Sequence, residues 1–124
     1  MEQFWDGLIA FYGTNDLEKT DQFYRKILGL TLYKDLKTRR IYNVPGGGKL
    51  GFCSHMPVVK ENKNPIITLL AIHVNEMYNR LLKAGITIPE PPKEDRGFKI
   101  HHFFIKDPNG YTVEICRFLE EEVE

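Results

Sequence analysis

A single acidic side chain, Glu114, interrupts an apolar segment near the end of the 124-residue sequence. Its neighbours Val113 and Ile115 are aliphatic, and successive side chains of a β-strand point to opposite faces. If the aliphatic pair packs into a core, Glu114 faces the other side, towards water, a pocket or a metal ion. A carboxylate there can accept hydrogen bonds, bind a cation or exchange a proton. Glu114 is therefore the first candidate site residue.

Histidines supply the other acid–base candidates, and there are four of them: His55, His73, His101 and His102. Because His101 and His102 are adjacent in a predicted strand, only one of them can share a face with Glu114. A histidine beside a carboxylate suits proton transfer or the orientation of a ligand. The alternative for each histidine is an exposed ring that bonds to water or to the backbone. A metal site would combine Glu114 with His102 or His73.

The two cysteines, Cys53 and Cys116, form neither a disulfide framework nor a zinc-ribbon spacing. Strand alternation places them on the same faces as residues 51 and 114, so either thiol could line a pocket. A nucleophilic thiol would need a lowered pKa and a nearby base. Small buried hydrophobic residues are the alternative, as expected for free thiols in a reducing compartment.

Aromatic residues could form the walls of an apolar pocket, with ordinary core packing as the alternative. These residues are Phe52, Phe98, Phe103, Phe104 and Tyr111. The predicted ligand-binding set is Glu114, His102, Phe52, Cys53 and Tyr111, and Glu114 is also the best candidate for a catalytic residue.

The turn Asp107-Pro108-Asn109-Gly110 positions Glu114. Proline fixes φ near the value that the second turn position needs, and Asn and Gly tolerate positive φ. Apolar runs flank the turn at residues 102–105 and 111–116, so residues 97–106 and 111–118 are predicted to form a β-hairpin.

The remaining predicted elements occur in the same order twice, as strand, helix and three strands. In the first half they are a strand at 7–12, a helix at 17–28 capped by Asn15 or Asp16, and strands at 30–33, 39–44 and 49–54, with a turn at 34–37. In the second half they are a strand at 66–73, a helix capped by Asn75 and closed by Gly85, a strand at 86–88, a loop to residue 96 and the hairpin.

Sequence similarity between the halves supports a duplication. QFYRKILGL at 22–30 resembles MYNRLLKAGI at 77–86, and KLGFCS at 49–54 resembles TVEICR at 112–117. This alignment matches Gly51 with Glu114. We therefore predict an α+β fold in one domain, residues 1–124, with module one at about 4–56 and module two at about 65–118. Two βαβββ modules suggest paired, curved mixed sheets around a cleft, which is a natural ligand site.

Two segments, 15–30 (NDLEKTDQFYRKILGL) and 103–115 (FFIKDPNGYTVEI), resemble the vicinal oxygen chelate superfamily. That superfamily includes glyoxalase I, bleomycin-resistance proteins and extradiol dioxygenases. The resemblance covers nearly the whole chain and implies the glyoxalase/bleomycin-resistance fold. It also implies a homodimer.

Metal-dependent members of that superfamily usually supply one ligand from the first and last strand of each module. By resemblance, the last-strand positions are Glu114 and Gly51. The first-strand positions fall near Leu8 or Ile9 and near Thr68 or Leu69. Only Glu114 among these is a good ligand, and divalent cations need several oxygen or nitrogen donors.

The resemblance therefore implies a protein that binds a small organic molecule in the cleft without the full family metal site. One alternative is a metal-dependent lyase or dioxygenase with rearranged ligands. Another is a dimeric interaction module with a filled cleft. Enzymatic activity and a divalent metal cofactor both stay open at this point.

Composition limits the other partners. Lys and Arg together number 17, as do Asp and Glu, so no net charge favours nucleic acid. The N-terminus lacks the basic and apolar regions of a signal peptide, and no apolar run is long enough to span a bilayer. These features predict a cytoplasmic protein without nucleic-acid or membrane partners.

Overall fold

The computed structural model describes residues 5–59 and 65–119, and the chain divides into two compact units, Met1–Lys60 and Glu61–Glu124. Each unit contains one strand, one helix and three further strands in that order. Each therefore forms a four-stranded mixed sheet with a helix, which confirms the predicted α+β fold class.

Unit 1 is built in the order β1 (Leu8–Gly13), α1 (Leu17–Asp21), β2 (Thr31–Leu36), β3 (Arg39–Val44) and β4 (Gly48–Cys53). A π-helical segment, Gln22–Ile27, continues α1. The strands lie in the order β1-β4-β3-β2, with β1 parallel to β4 and the other pairs antiparallel.

A short polar residue marks the start of the helix in unit 1, and a glycine follows its end. Asp16 is the N-cap, and its Oδ1 accepts a hydrogen bond from the Lys19 backbone N–H at 3.0 Å. This satisfies one of the unpaired N–H groups of the first turn. After the helix, Gly29 adopts a positive φ of 85°, which a residue without Cβ allows at little cost.

Aromatic rings form the core between this helix and the sheet. Tyr24, Tyr42 and Phe52 are fully buried, and the Tyr24 and Phe52 rings stack with centroids 4.7 Å apart. Offset stacking adds to the favourable burial of such large apolar surfaces.

Unit 2 repeats the plan with β5 (Ile67–Leu70), α2 (Val74–Lys83), β6 (Lys93–Asp95), β7 (Ile100–Lys106) and β8 (Thr112–Phe118). The strand order is β5-β8-β7-β6, and β5 is parallel to β8. The aliphatic residues Val113 and Ile115 are buried with Leu81 of α2, as predicted for the helix-covered face of β8.

Three local predictions were wrong, two of them because strand pairing overrode local preference. Residues 86–88 form no strand, whereas Lys93–Asp95 forms the edge strand β6 against β7. β2 extends through the turn predicted at 34–37, since Asp35 and Leu36 pair with β3. Finally, α2 is capped by His73 rather than Asn75, although the His73 side chain makes no capping hydrogen bond.

No helix in the described ranges, 5–59 and 65–119, is both long and apolar enough to cross a membrane.

Candidate functional site

The hairpin turn of unit 2 is fixed by the side chain of its first residue. Oδ1 of Asp107 accepts hydrogen bonds from the backbone N–H groups of Asn109, at 2.8 Å, and Tyr111, at 2.9 Å. Gly110 supplies the positive φ, 93°, that the reversal requires. The turn thereby sets a register in which Phe104 lies directly opposite Glu114.

Three polar side chains from three strands meet on the face of the sheet away from α2. Glu114 Oε1 accepts a hydrogen bond from the Thr68 hydroxyl at 2.8 Å, and Glu114 Oε2 lies 2.7 Å from His102 Nδ1. The Glu114 and His102 side chains are only 15% and 9% exposed. In the neutral tautomer that carries its hydrogen on Nδ1, the ring donates this hydrogen to Glu114 and keeps a lone pair on Nε2.

The free edge of the His102 ring belongs to a small pocket. Its volume is about 250 Å³, and its walls are Pro89, Glu90, Pro91, Lys93, His102, Phe103 and Phe104. The Phe104 ring contacts the His102 ring edge to face, with centroids 5.1 Å apart. Within the described ranges, Nε2 of His102 has no hydrogen-bond partner, and it is not fully enclosed. A ligand in the pocket would therefore lie against the His102 side chain.

The cysteines contribute no reactive thiolate to either unit. Burial raises the pKa of Cys116, and the negative charge of Glu114 raises it further. Burial also raises the pKa of Cys53, against a smaller opposing effect of Arg39. Both thiols are thus held protonated, as inert buried cysteines are.

In unit 1 the position equivalent to Glu114 is Gly51, and an aromatic ring fills the space beside it. Gly51 of β4 pairs with Phe11 of β1, just as Glu114 of β8 pairs with Thr68 of β5. A Cβ atom at Gly51 would clash with the Phe11 ring, so the ring occupies the space of the missing side chain. The first-strand ligand position that the resemblance placed near Leu8 or Ile9 would fall at Phe11 if it follows this pairing.

The residues at the four expected ligand positions do not form the metal site of metal-dependent superfamily members. Phe11 and Gly51 offer no donor atom, and both Glu114 oxygens already bond to Thr68 and His102. Across residues 5–59 and 65–119, no three His, Cys, Asp or Glu side chains lie together as metal ligands do. A zinc-like ion normally takes at least three protein ligands.

The structure brings together two of the predicted site residues and places the others elsewhere. Glu114 and His102 meet, whereas Phe52 and Cys53 lie buried in unit 1, where Phe52 packs under the helix. Tyr111 is buried at the end of the hairpin turn. His73 lies exposed at the N-terminus of α2, five residues beyond Thr68 in the chain.

Sequence reasoning missed Lys93, Pro89 and Pro91 as pocket residues, because β6 was predicted to be part of a loop. Thr68 was considered only as a poor metal ligand. Its pairing with position 114 in a parallel strand is the signal that could have identified it as a partner of Glu114.

Comparisons with known proteins agree with this architecture. A Vibrio cholerae protein named as a probable lactoylglutathione lyase is 25% identical over 114 residues, which cover 82% of this chain and 83% of the relative. A Salmonella typhimurium virulence protein is also 25% identical over 114 residues, covering 85% of this chain and 78% of the relative.

A crystal structure of a glyoxalase/bleomycin resistance protein/dioxygenase from Nocardioides superposes with a TM-score of 0.72 at 20% identity. It covers 98% of this chain and 88% of its own chain, and at this identity the likeness concerns the fold. The family model of the Glyoxalase/Bleomycin resistance protein/Dioxygenase superfamily matches residues 9–115. Because that match spans both βαβββ units, this chain belongs to the Glyoxalase/Bleomycin resistance protein/Dioxygenase superfamily.

Proposed function

We propose that this protein binds a small organic molecule in the pocket of unit 2, with His102 as the polar anchor and without the family's full metal site. The observation that carries the proposal is the His102–Glu114 pair, whose 2.7 Å contact fixes the ring of a residue that lines the pocket. A buried carboxylate is costly unless it is paired, and this pair uses it to hold a ring in place.

The pocket walls define the class of ligand. Two proline rings and Phe104 supply apolar surface, while the Nε2 lone pair of His102 accepts a hydrogen bond. A volume of about 250 Å³ lies just below the range of about 300–1,000 Å³ that is usual for drug-sized ligands. The pocket therefore suits a flat molecule of one or two rings that carries one hydrogen-bond donor.

Nuclear magnetic resonance with a library of such ring compounds tests the proposal. Binders should shift the amide signals of residues 89–104, and Phe104→Ala should weaken their binding by removing an aromatic wall. Phe98→Ala is the matched control, because Phe98 is 76% exposed and does not line the pocket. Absence of any binder, or shifts confined to unit 1, would contradict the proposal.

A lyase reaction is a second candidate function, favoured by the name of the Vibrio cholerae relative. It predicts that the protein consumes lactoylglutathione when incubated with Zn²⁺ or Ni²⁺. Since the residues present do not fit the family metal site, we expect no turnover above the rate of the metal alone. Metal-dependent turnover that Glu114→Ala abolishes would favour the lyase over the first proposal.

A further inference from the structure

We propose that His102 is a metal-free general base, and that the pocket accepts flat, largely apolar molecules with a weakly acidic C–H group. This inference rests on the proposed binding function and adds a chemical step to it. It assigns Nε2 of His102 as the proton acceptor, Glu114 as the residue that positions it, and Lys93 as the cation beside the developing negative charge.

The first support is the arrangement of the histidine. Glu114 Oε2 lies 2.7 Å from His102 Nδ1, and the Thr68 hydroxyl donates a hydrogen bond to Glu114 Oε1 at 2.8 Å. The carboxylate is therefore fixed from two sides, and the ring that it orients belongs to a residue that lines the pocket. A histidine whose Nδ1–H is held by a carboxylate has the tautomer and orientation of a general base.

The second support is the charge next to the ring. Lys93 of β6 pairs directly with His102 of β7, and both line the pocket. The Lys93 ammonium lies 3.4 Å from Glu90 in an exposed ion pair. Because exposed pairs contribute little energy, Lys93 can reorient towards an anion at small cost.

The proton transfer needs no reactant other than His102 and the ligand. Nε2 takes the proton from the C–H group, and the electron pair of that bond stays on the ligand or expels a leaving group within it. The new imidazolium charge lies beside the Glu114 carboxylate, and the new ligand anion lies beside Lys93. Each new charge therefore has a group of opposite sign beside it.

The probe for this step is 5-nitrobenzisoxazole, a flat two-ring carbon acid. When a base removes its ring C–H proton, the N–O bond breaks and a coloured cyanonitrophenolate forms, without any other reactant. We expect the wild-type protein to accelerate this reaction above the rate in buffer. His102→Gln should lower the protein-catalysed rate about 100-fold or more, the usual contribution of a positioned base.

His101→Gln is the matched control. His101 is the neighbouring residue of β7, so its side chain points to the opposite face, and this variant should keep the wild-type rate. Equal losses in both variants, or no loss in His102→Gln, would overturn the inference.

The role of Glu114 is tested through the tautomer of His102. In the wild-type protein, the ring ¹⁵N signals should show hydrogen on Nδ1, and in Glu114→Gln the hydrogen should redistribute towards Nε2. The rate should fall about tenfold or more in parallel with that redistribution. A rate that falls with an unchanged tautomer would overturn the positioning role.

An unreactive analogue, 5-nitroindole, separates binding from chemistry in the unmodified protein. It should shift the amide signals of residues 89–104 and inhibit the reaction of 5-nitrobenzisoxazole. Binding without any acceleration of the reaction would overturn the proton-transfer inference and leave the binding function intact. If neither binding nor acceleration occurs, both proposals fail.

Discussion

Glu114 lies at the position that the family resemblance assigns to a metal ligand, and neighbouring side chains stabilise its carboxylate. Its side chain is buried to the extent that an unpaired charge would be costly. Thr68 and His102 together satisfy both of its oxygens. A carboxylate whose partners are a hydroxyl and an imidazole has no need of a cation for its own stability.

A second buried carboxylate, Asp21 of unit 1, allows a test of pH dependence. Hydrogen bonds from Arg25, at 2.7 Å, lower its pKa from 3.8, burial opposes them, and a hydrogen bond from the Tyr42 hydroxyl, at 2.8 Å, lowers it further. A carboxyl whose pKa is lower in the folded state adds stability above its unfolded pKa and loses it as the pH falls through the folded value.

We therefore expect Asp21→Asn to lower the free energy of unfolding at pH 7 by about 1–3 kcal/mol, the range for hydrogen bonds to charged groups. The difference from wild type should shrink as the pH falls below 3.8. Urea unfolding across this pH range measures it. Asp35→Asn, whose ion pair with Arg40 is exposed, is the control and should cost less than about 1 kcal/mol. A loss that is constant with pH would contradict the prediction.

At the scale of the element, β4 depends on a glycine for space rather than for backbone freedom. A Cβ atom at Gly51 would overlap the Phe11 ring. We expect Gly51→Ala to destabilise the protein by about 1–3 kcal/mol, the usual cost of overpacking. Thermal unfolding provides the measurement.

Gly48→Ala is the matched control for that experiment. It lies in the same strand, and a Cβ there would meet no atom within 4 Å. The double variant Phe11→Ala/Gly51→Ala should show a favourable coupling energy, because removal of the ring makes room for the methyl group. Additive effects of the two substitutions would show that the close contact does not limit position 51.

The hairpin of β7 and β8 depends on the Asp107 carboxylate, which accepts two backbone hydrogen bonds. Asp107→Ala should reduce the free energy of unfolding by about 1.5–3 kcal/mol, since it leaves these N–H groups without their acceptor. Asp107→Asn keeps one acceptor oxygen and should recover part of the loss. Equal stability of both variants, measured by denaturant unfolding, would contradict this explanation.

Elements with a strong local signal could be predicted from the sequence. Gly85 and Gly110 marked the end of a helix and a turn, and the alternation around Glu114 indicated its face. The edge strand β6 could not be predicted, because Lys93 and Glu94 form a strand only through pairing with His101 and His102. For the same reason, the candidate site could be predicted at Glu114 and His102 but not at Lys93 or the prolines of the pocket.

At the scale of the whole molecule, the two units share one topology and differ in chemistry at equivalent positions. In unit 2 the paired residues are Thr68 and Glu114, and in unit 1 they are Phe11 and Gly51. The two units therefore share a backbone plan, and of these two equivalent pairs the one in unit 2 is polar. The homodimer that the family resemblance implies stays a prediction.

The residues at these equivalent positions predict how the stability of the whole protein responds to metal ions. A ligand that binds only the folded state at 100 times its Kd stabilises it by about 2.7 kcal/mol. Because the described donors do not form a metal site, we expect no rise in Tm when Zn²⁺, Ni²⁺ or Mn²⁺ is added to chelator-treated protein. A saturable rise in Tm that Glu114→Ala removes would show that Glu114 binds a metal ion.

The contact between Phe11 and Gly51 also imposes an order on any change of this protein over time. A carboxylate cannot enter position 51 while the ring of Phe11 fills the space, so a single substitution there meets a steric barrier. Replacement of Phe11 by a smaller residue must come first, or both changes must come together. The introduction of a carboxylate at position 51 in the laboratory therefore begins at residue 11.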